Sequence, residues 1–431
     1  MLRITSFYYS PKNDLKIKGE AMEVQVLGAG NEVGKSAILV KDRKKVLLDC
    51  GVKIQPEPPK YPELPDDIDA SVISHAHLDH CGGAPMLANS QTPVYMTNVT
   101  LELVSLLIRD SIKVGIKQGY PTPFGQQQLR ALIKNTKTVN YGQKFTAGDF
   151  SCSLFDAGHI PGSSGVFMNN GKKIFYTGDI QTEDSQLLRG CKLPKETDLL
   201  IIESTYSSRN HPPREKEDKR LLQAVEEVIG NGESALIPVF AVGRAQEVML
   251  ILEKYANKIA LDGMAKAASD IVSRYSHYLK DKRLKNVMKK IKFVHTDEER
   301  MRVLKKRPII ITSAGMLGGG PAIHYLRLIQ KRHLSKVLFT GFLVEESPGR
   351  NLIQTKVFQN AEEKFHVHCD LQQFELSAHA GRDGLFNIIE TLKPKQVITA
   401  HGEHCKEFAK EIHEKYNIEA YAPKNGESVR V

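Results

Sequence analysis

Within Ser74-His75-Ala76-His77-Leu78-Asp79-His80, three imidazoles and a carboxylate share six positions, His75 to His80. These are the usual ligand types for zinc and similar first-row ions. One tetrahedral catalytic site could not take all four from one loop and still keep a position open. The spacing therefore suits two adjacent ions, with His75 and His77 on one and Asp79 and His80 on the other. A polar loop that merely caps a helix is the bland alternative, but such side chains converge mainly at sites. An apolar, β-branched run, Ala70-Ser71-Val72-Ile73, leads in as a buried strand, and Cys81-Gly82-Gly83-Ala84-Pro85 follows as a turn. The cluster is thus expected on a tight loop at a strand's end.

Other strands of the chain end in the same way. Asp49 closes the apolar run 45–49, the third of three strands whose last two form a hairpin. His159 follows the strand that runs into Asp156, and Asp179 ends the run 173–179. Glu203 closes the apolar strand 198–203, and polar strand ends return at His379 and His401. Polar residues at the ends of apolar strands are how α/β and α+β folds present a site. By contrast, Gly28-Ala29-Gly30-Asn31-Glu32-Val33-Gly34 has the wrong glycine spacing for a dinucleotide fingerprint, and a strand follows it rather than a helix.

Helical periodicity covers residues 101–116 and 126–135. From about Ser207 the pattern alternates helix and strand: helices over 219–229, 246–255 and 267–279, strands over 234–238, 258–261, 309–313 and 336–340. Such alternation predicts a second, mostly parallel α/β domain. The economical reading is a first domain interrupted near Glu203 and completed by the last sixty or so residues.

A chain of 431 residues, 41% hydrophobic and 26% charged, is expected to form two or three soluble domains. No apolar run approaches the roughly 18 residues needed to cross a bilayer. Met1-Leu2-Arg3-Ile4-Thr5-Ser6-Phe7 lacks the layout of a signal peptide. Six scattered cysteines without a C-x-x-C pair read as buried thiols in a cytoplasmic protein. The net charge is +10, and residues 254–307 carry all of it, with 16 Lys and Arg against six Asp and Glu. That excess suits either an anionic partner or a solvated helical face.

Together these motifs resemble the metallo-β-lactamase superfamily. Asp49, His75-Ala76-His77-Leu78-Asp79-His80, His159 and Asp179 match its four motifs, and Glu203-Ser204-Thr205-Tyr206, Ser377-Ala378-His379-Ala380 and His401-Gly402-Glu403 look like motifs A, B and C of its β-CASP branch. Gly243-Arg244-Ala245-Gln246-Glu247 and the 315–320 loop are also typical of that branch's inserted domain. The likeness is to archaeal relatives of the cleavage and polyadenylation specificity factor nuclease that lack KH domains. Too few residues precede the first strand for such a module. Asn31 stands where many relatives carry Gln, and Ser207-Ser208 where they often carry Gly.

The resemblance implies a metallo-β-lactamase αββα sandwich, 1–206 and 371–431, with an inserted β-CASP domain of parallel-sheet α/β type, 207–370. It implies two Zn2+, with Mn2+ admitted by ligand type: His75, His77 and His159 on one, Asp79, His80 and His401 on the other, Asp179 bridging. Asp49 is expected to orient a ligand histidine. With Asp79, His379 and Glu203 complete the expected catalytic set, His379 as general acid for the leaving oxygen and Glu203 holding its other nitrogen. Arg244, Ser313, Gly315, Gly318, Gly319 and Arg350 are candidate RNA contacts, the glycine loop as a phosphate cradle or simply a packing turn. The implied activity is a two-metal ribonuclease, endonuclease or 5′→3′ exonuclease, leaving 5′-phosphate and 3′-hydroxyl ends in RNA 3′-end processing, maturation or decay. Single-stranded RNA is the implied partner, without a membrane, and a homodimer is allowed. The alternatives are a DNA-directed β-CASP nuclease, which usually has Val in place of His401, and a silent RNA-binding scaffold, which loses ligands.

Overall fold

The structure is a computed structural model that describes residues 22–90 and 92–431, without the side chains of Asn89 and Ser90. The N-terminal stretch read for a signal peptide lies outside these residues. Two seven-stranded sheets form the centre. The first runs Ser428–Arg430, Glu23–Gly28, Ala37–Lys41, Lys45–Leu48, Ala70–Val72, Val94–Met96, Thr136–Thr138. The second runs Glu419–Tyr421, Gln396–Ala400, Leu199–Glu203, Lys173–Tyr176, Ser164–Asn169, Phe150–Asp156, Lys144–Ala147. The last residues of the chain therefore contribute strands to both sheets, which closes the interrupted domain.

Alternation along these strands explains why the sheets stack. Val24 and Val26 of Glu23–Gly28 point inward and pack with Ile174 and Tyr176 of the facing sheet, burying one continuous apolar layer. Outside the second sheet, Leu385, Ile388 and Ile389 of helix Arg382–Leu392 and Phe408 and Ile412 of helix Cys405–Tyr416 cover Phe175, Leu200 and Ile202. Outside the first, helix Asn98–Gln118 buries Val99, Leu103, Val104, Ile108 and Ile112 at helical spacing. Thr97 caps it by accepting from the Thr100 amide. These layers make the expected αββα sandwich.

The inserted segment builds a third sheet in the order Lys292–Phe293, Ile259–Asp262, Ile309–Ser313, Ala235–Val239, Lys336–Phe339, Asp370–Gln373. Every pairing in it is parallel. Such strands are buried on both faces, as Ile309-Ile310-Ile311 foretold. One apolar cluster runs from helix Asn98–Gln118 through Ile160, Leu187 and Leu188 into this sheet, so the insertion is packed onto the sandwich.

Three local expectations are corrected. Asp79 and His80 lie on a helical turn, Leu78–Cys81, rather than on an open loop. That turn forms because its carbonyls are clamped from outside: Leu78 accepts from Val52, Asp79 from Ser36 and His80 from Cys50. The helix expected over 246–255 ends at Ile251 and passes into a 3-10 segment, Glu253–Lys258. The helix expected over 267–279 ends at Arg274, because Tyr278 turns inward against Tyr141 at 5.0 Å and Lys280 donates to the Leu187 carbonyl.

Candidate metal centre

The candidate ligands leave the strands at one rim of the sandwich. His75 and His77 follow Ala70–Val72, His159 follows Phe150–Asp156, Asp179 follows Lys173–Tyr176, and His401 follows Gln396–Ala400. Two glycines make the convergence sterically feasible. A Cβ on Gly51 would fall 1.7 Å from the Asp79 carbonyl oxygen, and one on Gly402 would fall 2.5 Å from the Ser204 backbone. Both positions therefore require a bare backbone so that the loops can touch.

The ligand atoms separate into two groups that share one carboxylate. Atoms of His75, His77, His159 and Asp179 lie within 4.8 Å of one another, and Asp79, His80 and His401 form a second group. Asp179 spans them. Its Oδ2 is 3.5 Å from His75 Nε2 and from His159 Nε2, and its Oδ1 is 3.1 Å from His80 Nε2 and 3.3 Å from His401 Nδ1.

This donor set fits cations. His159 Nδ1 donates to the Ala378 carbonyl at 2.8 Å, leaving a lone pair on Nε2, which faces His77 Nδ1 at 2.9 Å. His80 Nδ1 donates to Asp49 at 2.7 Å, and its Nε2 faces His401 Nε2 at 3.3 Å. His75 Nε2 and Asp179 Oδ1 are buried without any hydrogen-bond partner. Nitrogens aimed at nitrogens and orphaned buried acceptors are costly unless a positive charge sits among them. Burial and the neighbouring His80 push His75 down, burial and His75 push His77 down to about 3, and burial and His379 push His159 far down. All three are neutral, the form that binds metal. Burial raises Asp79, but the His401 hydrogen bond and the charge on His80 outweigh it and hold the carboxyl far below its usual range.

Asp49 supports the cluster from beneath. It is fully buried and takes hydrogen bonds from Ser74 N at 2.6 Å, Ser74 Oγ at 2.7 Å, His80 Nδ1 at 2.7 Å and the Tyr176 hydroxyl at 2.7 Å. These bonds fix both the rotamer and the tautomer of His80.

His379 and Glu203 meet at the edge of the cluster. His379 Nδ1 is 3.0 Å from both carboxylate oxygens of Glu203, which also accepts from the Ile180 amide at 2.7 Å. His379 Nε2 faces Asp179 Oδ2 at 3.9 Å. Burial disfavours its charge, but Glu203 and Asp179 outweigh that and raise its pKa to about 9. A protonated imidazole thus points toward the centre.

Models of three families match consecutive parts of the chain: Anti-Pycsar protein Apyc1 over residues 22–207, the Beta-Casp domain over 245–352, and the Zn-dependent metallo-hydrolase RNA specificity domain over 364–423. The probable RNase MJ4 of Methanocaldococcus jannaschii is 37% identical over 95% of this chain and 100% of its own. The chain belongs to the β-CASP nuclease family of the archaeal cleavage-factor type. Two further β-CASP relatives are the transcription termination factor FttA of the same organism, 32% identical over 97% of this chain and 73% of its own, and RNase aCSPSF2 of Saccharolobus solfataricus, 30% identical over 94% and 85%. A solved structure of a protein of unknown function from Enterococcus faecalis V583 shares the fold, with a TM-score of 0.63 and 16% identity over 96% of this chain and 100% of its own. The metallo-hydrolase match and the His/Asp cluster together establish a metal cofactor for this β-CASP chain.

The β-CASP insertion brings its own residues up to the centre, but unevenly. Phe240, at the end of Ala235–Val239, puts its ring 6.5 Å from that of His77. Arg244 lies behind it, and burial together with Arg214 lowers its pKa to about 9. The Ser313 hydroxyl accepts from the Met264 amide at 2.8 Å, so it serves the adjoining helix. Gly315 packs against the Val239–Phe240 backbone, whereas Gly318 and Gly319 face open space. Arg350 joins this loop only through its helix, where the Gly349 amide donates to Met316, and its guanidinium pairs with Glu345 at 2.9 Å. Of the histidines read as structural, His366, His368 and His404 are exposed. Tyr176, which holds Asp49, Thr205, whose Oγ1 lies 3.2 Å from His401 Nδ1, and Phe240 do not stand out as site residues in the sequence. Only the tripeptide Ser204-Thr205-Tyr206 after Glu203 carried a local signal for any of them.

Proposed function

We propose that this protein is a two-metal ribonuclease that hydrolyses RNA phosphodiester bonds to 5′-phosphate and 3′-hydroxyl ends, in RNA 3′-end processing, maturation or decay. The observation that carries this reading is Asp179 spanning the two ligand groups, with the His379–Glu203 pair beside it and the inserted sheet's strand ends opposite. The names of the relatives, RNases and a transcription termination factor, support RNA as the substrate and its 3′ end as the place of action.

In this reading His75, His77, His159 and Asp179 hold one zinc, and Asp79, His80, His401 and Asp179 the other. Such a pair, when bound, lowers the pKa of an attacking water and neutralises charge on the phosphodiester. Asp79, held ionised beside His401 and His80, would serve the catalytic set as a ligand carboxylate. His379, held protonated by Glu203, donates its Nε2 proton to the leaving 3′ oxygen. Arg244 and the open backbone of Gly318 and Gly319 contact RNA phosphates, with Ser313, Gly315 and Arg350 shaping that loop. His401 favours RNA over DNA on the family pattern. No helix among the described residues is long and apolar enough to cross a membrane. The six free cysteines support a reducing compartment, and the cytoplasm is the one proposed. Among the described residues the first domain runs over 22–206 and resumes at about residue 374 rather than 371, because strand Asp370–Gln373 pairs with Lys336–Phe339 of the inserted sheet.

The test is metal-replete protein on end-labelled single-stranded RNA bearing a 5′-monophosphate, a triphosphate or a hydroxyl. Internal fragments indicate an endonuclease, and mononucleotides from the monophosphate alone indicate an exonuclease. Intact RNA in all three arms would overturn the reading.

A further inference from the structure

Because the inserted sheet is parallel, all its carboxyl ends fall on one edge, where ligands of open α/β sheets collect. Three neighbouring strands there, Ile309–Ser313, Ala235–Val239 and Lys336–Phe339, run into Gly315, Phe240 and Thr340-Gly341-Phe342. These residues line a single pocket together with Arg244 and Leu343.

The pocket has an unusual rim. Among the described phenylalanines, Phe240 and Phe342 are the two that stand exposed, 42% and 56%, and both are here. Aromatic surface left in water at one place marks a binding face rather than a packing accident. Two buried polar atoms of the lining, Thr340 Oγ1 and Arg244 Nε, have no hydrogen-bond partner in the protein. Buried polar groups left in that state lack a bonding partner that an occupant of the pocket could supply. The Phe240 ring lies 6.5 Å from His77, so the pocket adjoins the metal ligands.

We propose that Phe240 and Phe342 form a stacking platform for the nucleobase next to the scissile phosphate, with Arg244 and Thr340 bonding the polar part of that nucleotide. The proposal rests on the ribonuclease reading. It accounts for the apolar rim and the orphaned polar atoms with one occupant. Since every base has a π-face, the platform would hold RNA in register without choosing a sequence.

Two independent probes test it. RNA carrying 2-aminopurine, or an abasic residue, at each position around the cleavage point is mixed with metal-replete wild type, Phe240→Leu and Phe342→Leu proteins. Leucine keeps apolar bulk and removes the ring. In wild type one position should be quenched before cleavage, and both variants should lose that quenching. Their KM should rise about tenfold with kcat within about twofold. Wild type should cut the RNA abasic at that position as poorly as the variants cut intact RNA. Equal cutting of abasic and intact RNA by wild type, or unchanged KM and quenching in both variants, overturns the platform while leaving the nuclease standing. A wild type that cuts no RNA overturns the nuclease reading itself.

Discussion

His379 Nδ1 sits 3.0 Å from both oxygens of Glu203, a forked contact that fixes the imidazole's orientation and directs Nε2 at the candidate metal centre. The carboxylate is 2% exposed and is itself anchored by the Ile180 amide, so the pair is preorganised. Removing the imidazole should leave the ligand groups intact. His379→Ala is expected to retain its metals by elemental analysis and to lose about 10²–10⁴-fold in single-turnover RNA cleavage. Unchanged cleavage by the metal-replete variant would remove His379 from the mechanism.

Asp49 touches no candidate metal position, yet four hydrogen bonds connect it to Ser74, His80 and Tyr176. Its φ of +62° is tolerated by asparagine, which makes Asp49→Asn the clean substitution. The amide keeps one acceptor oxygen, so it cannot accept from the Ser74 amide and from His80 together as the two carboxylate oxygens do. Competition with a chelating dye should report zinc affinity about 10–100-fold weaker, with the fold retained. An affinity equal to wild type would show that His80 is oriented by its loop alone.

How much of this was legible beforehand depended on whether the signal was local. Ile309-Ile310-Ile311-Thr312-Ser313 was readable as a strand to the residue, since β-branched runs between polar flanks have few other uses. The candidate metal ligands stood out because histidine and aspartate at strand ends are chemically conspicuous. Tyr176 and Phe240 did not, because nothing beside them in sequence distinguishes a buried hydroxyl serving Asp49, or an exposed ring, from ordinary strand residues. The end of helix Ala265–Arg274, expected at residue 279, is illegible for a similar reason. Tyr278 leaves the helical path to meet Tyr141, more than a hundred residues earlier in the chain.

A buried ion pair organises the inserted sheet. Asp262 is fully buried and accepts from Arg300 Nε at 2.6 Å, the Tyr325 hydroxyl at 3.1 Å and the Gly263 amide at 2.6 Å. Burial raises its pKa, but Arg300 outweighs that and holds it below the usual carboxylate range. Its contribution is therefore full above the unfolded value of about 3.9 and is lost as pH falls through the lower folded one. Asp262→Asn leaves Arg300 with Asp297 as its one remaining carboxylate partner and should cost about 1.5–3 kcal/mol in denaturant unfolding at neutral pH. The deficit relative to wild type should shrink toward pH 3, and a pH-independent deficit would assign it to packing.

The basic segment 254–307 can be tested through salt. Half of its cations meet carboxylates, including Lys254 with Glu226, Arg274 with Glu102 and Lys280 with Asp184. Lys282, Lys285 and Lys289, on and beside the short helix Arg283–Met288, are exposed. If they neutralise three phosphates, replacing all three by alanine should make the slope of log K against log salt shallower by about 2 for single-stranded RNA. An unchanged slope would mark them as a solvated face.

The two-metal claim itself is best tested by stripping the protein with a chelator and restoring Zn2+ in measured equivalents while following cleavage of single-stranded RNA. Asp179 spanning both ligand groups predicts little cleavage at one equivalent, full cleavage at two, and 5′-phosphate and 3′-hydroxyl ends on the products. Full activity at one equivalent, or in the stripped protein, would contradict it.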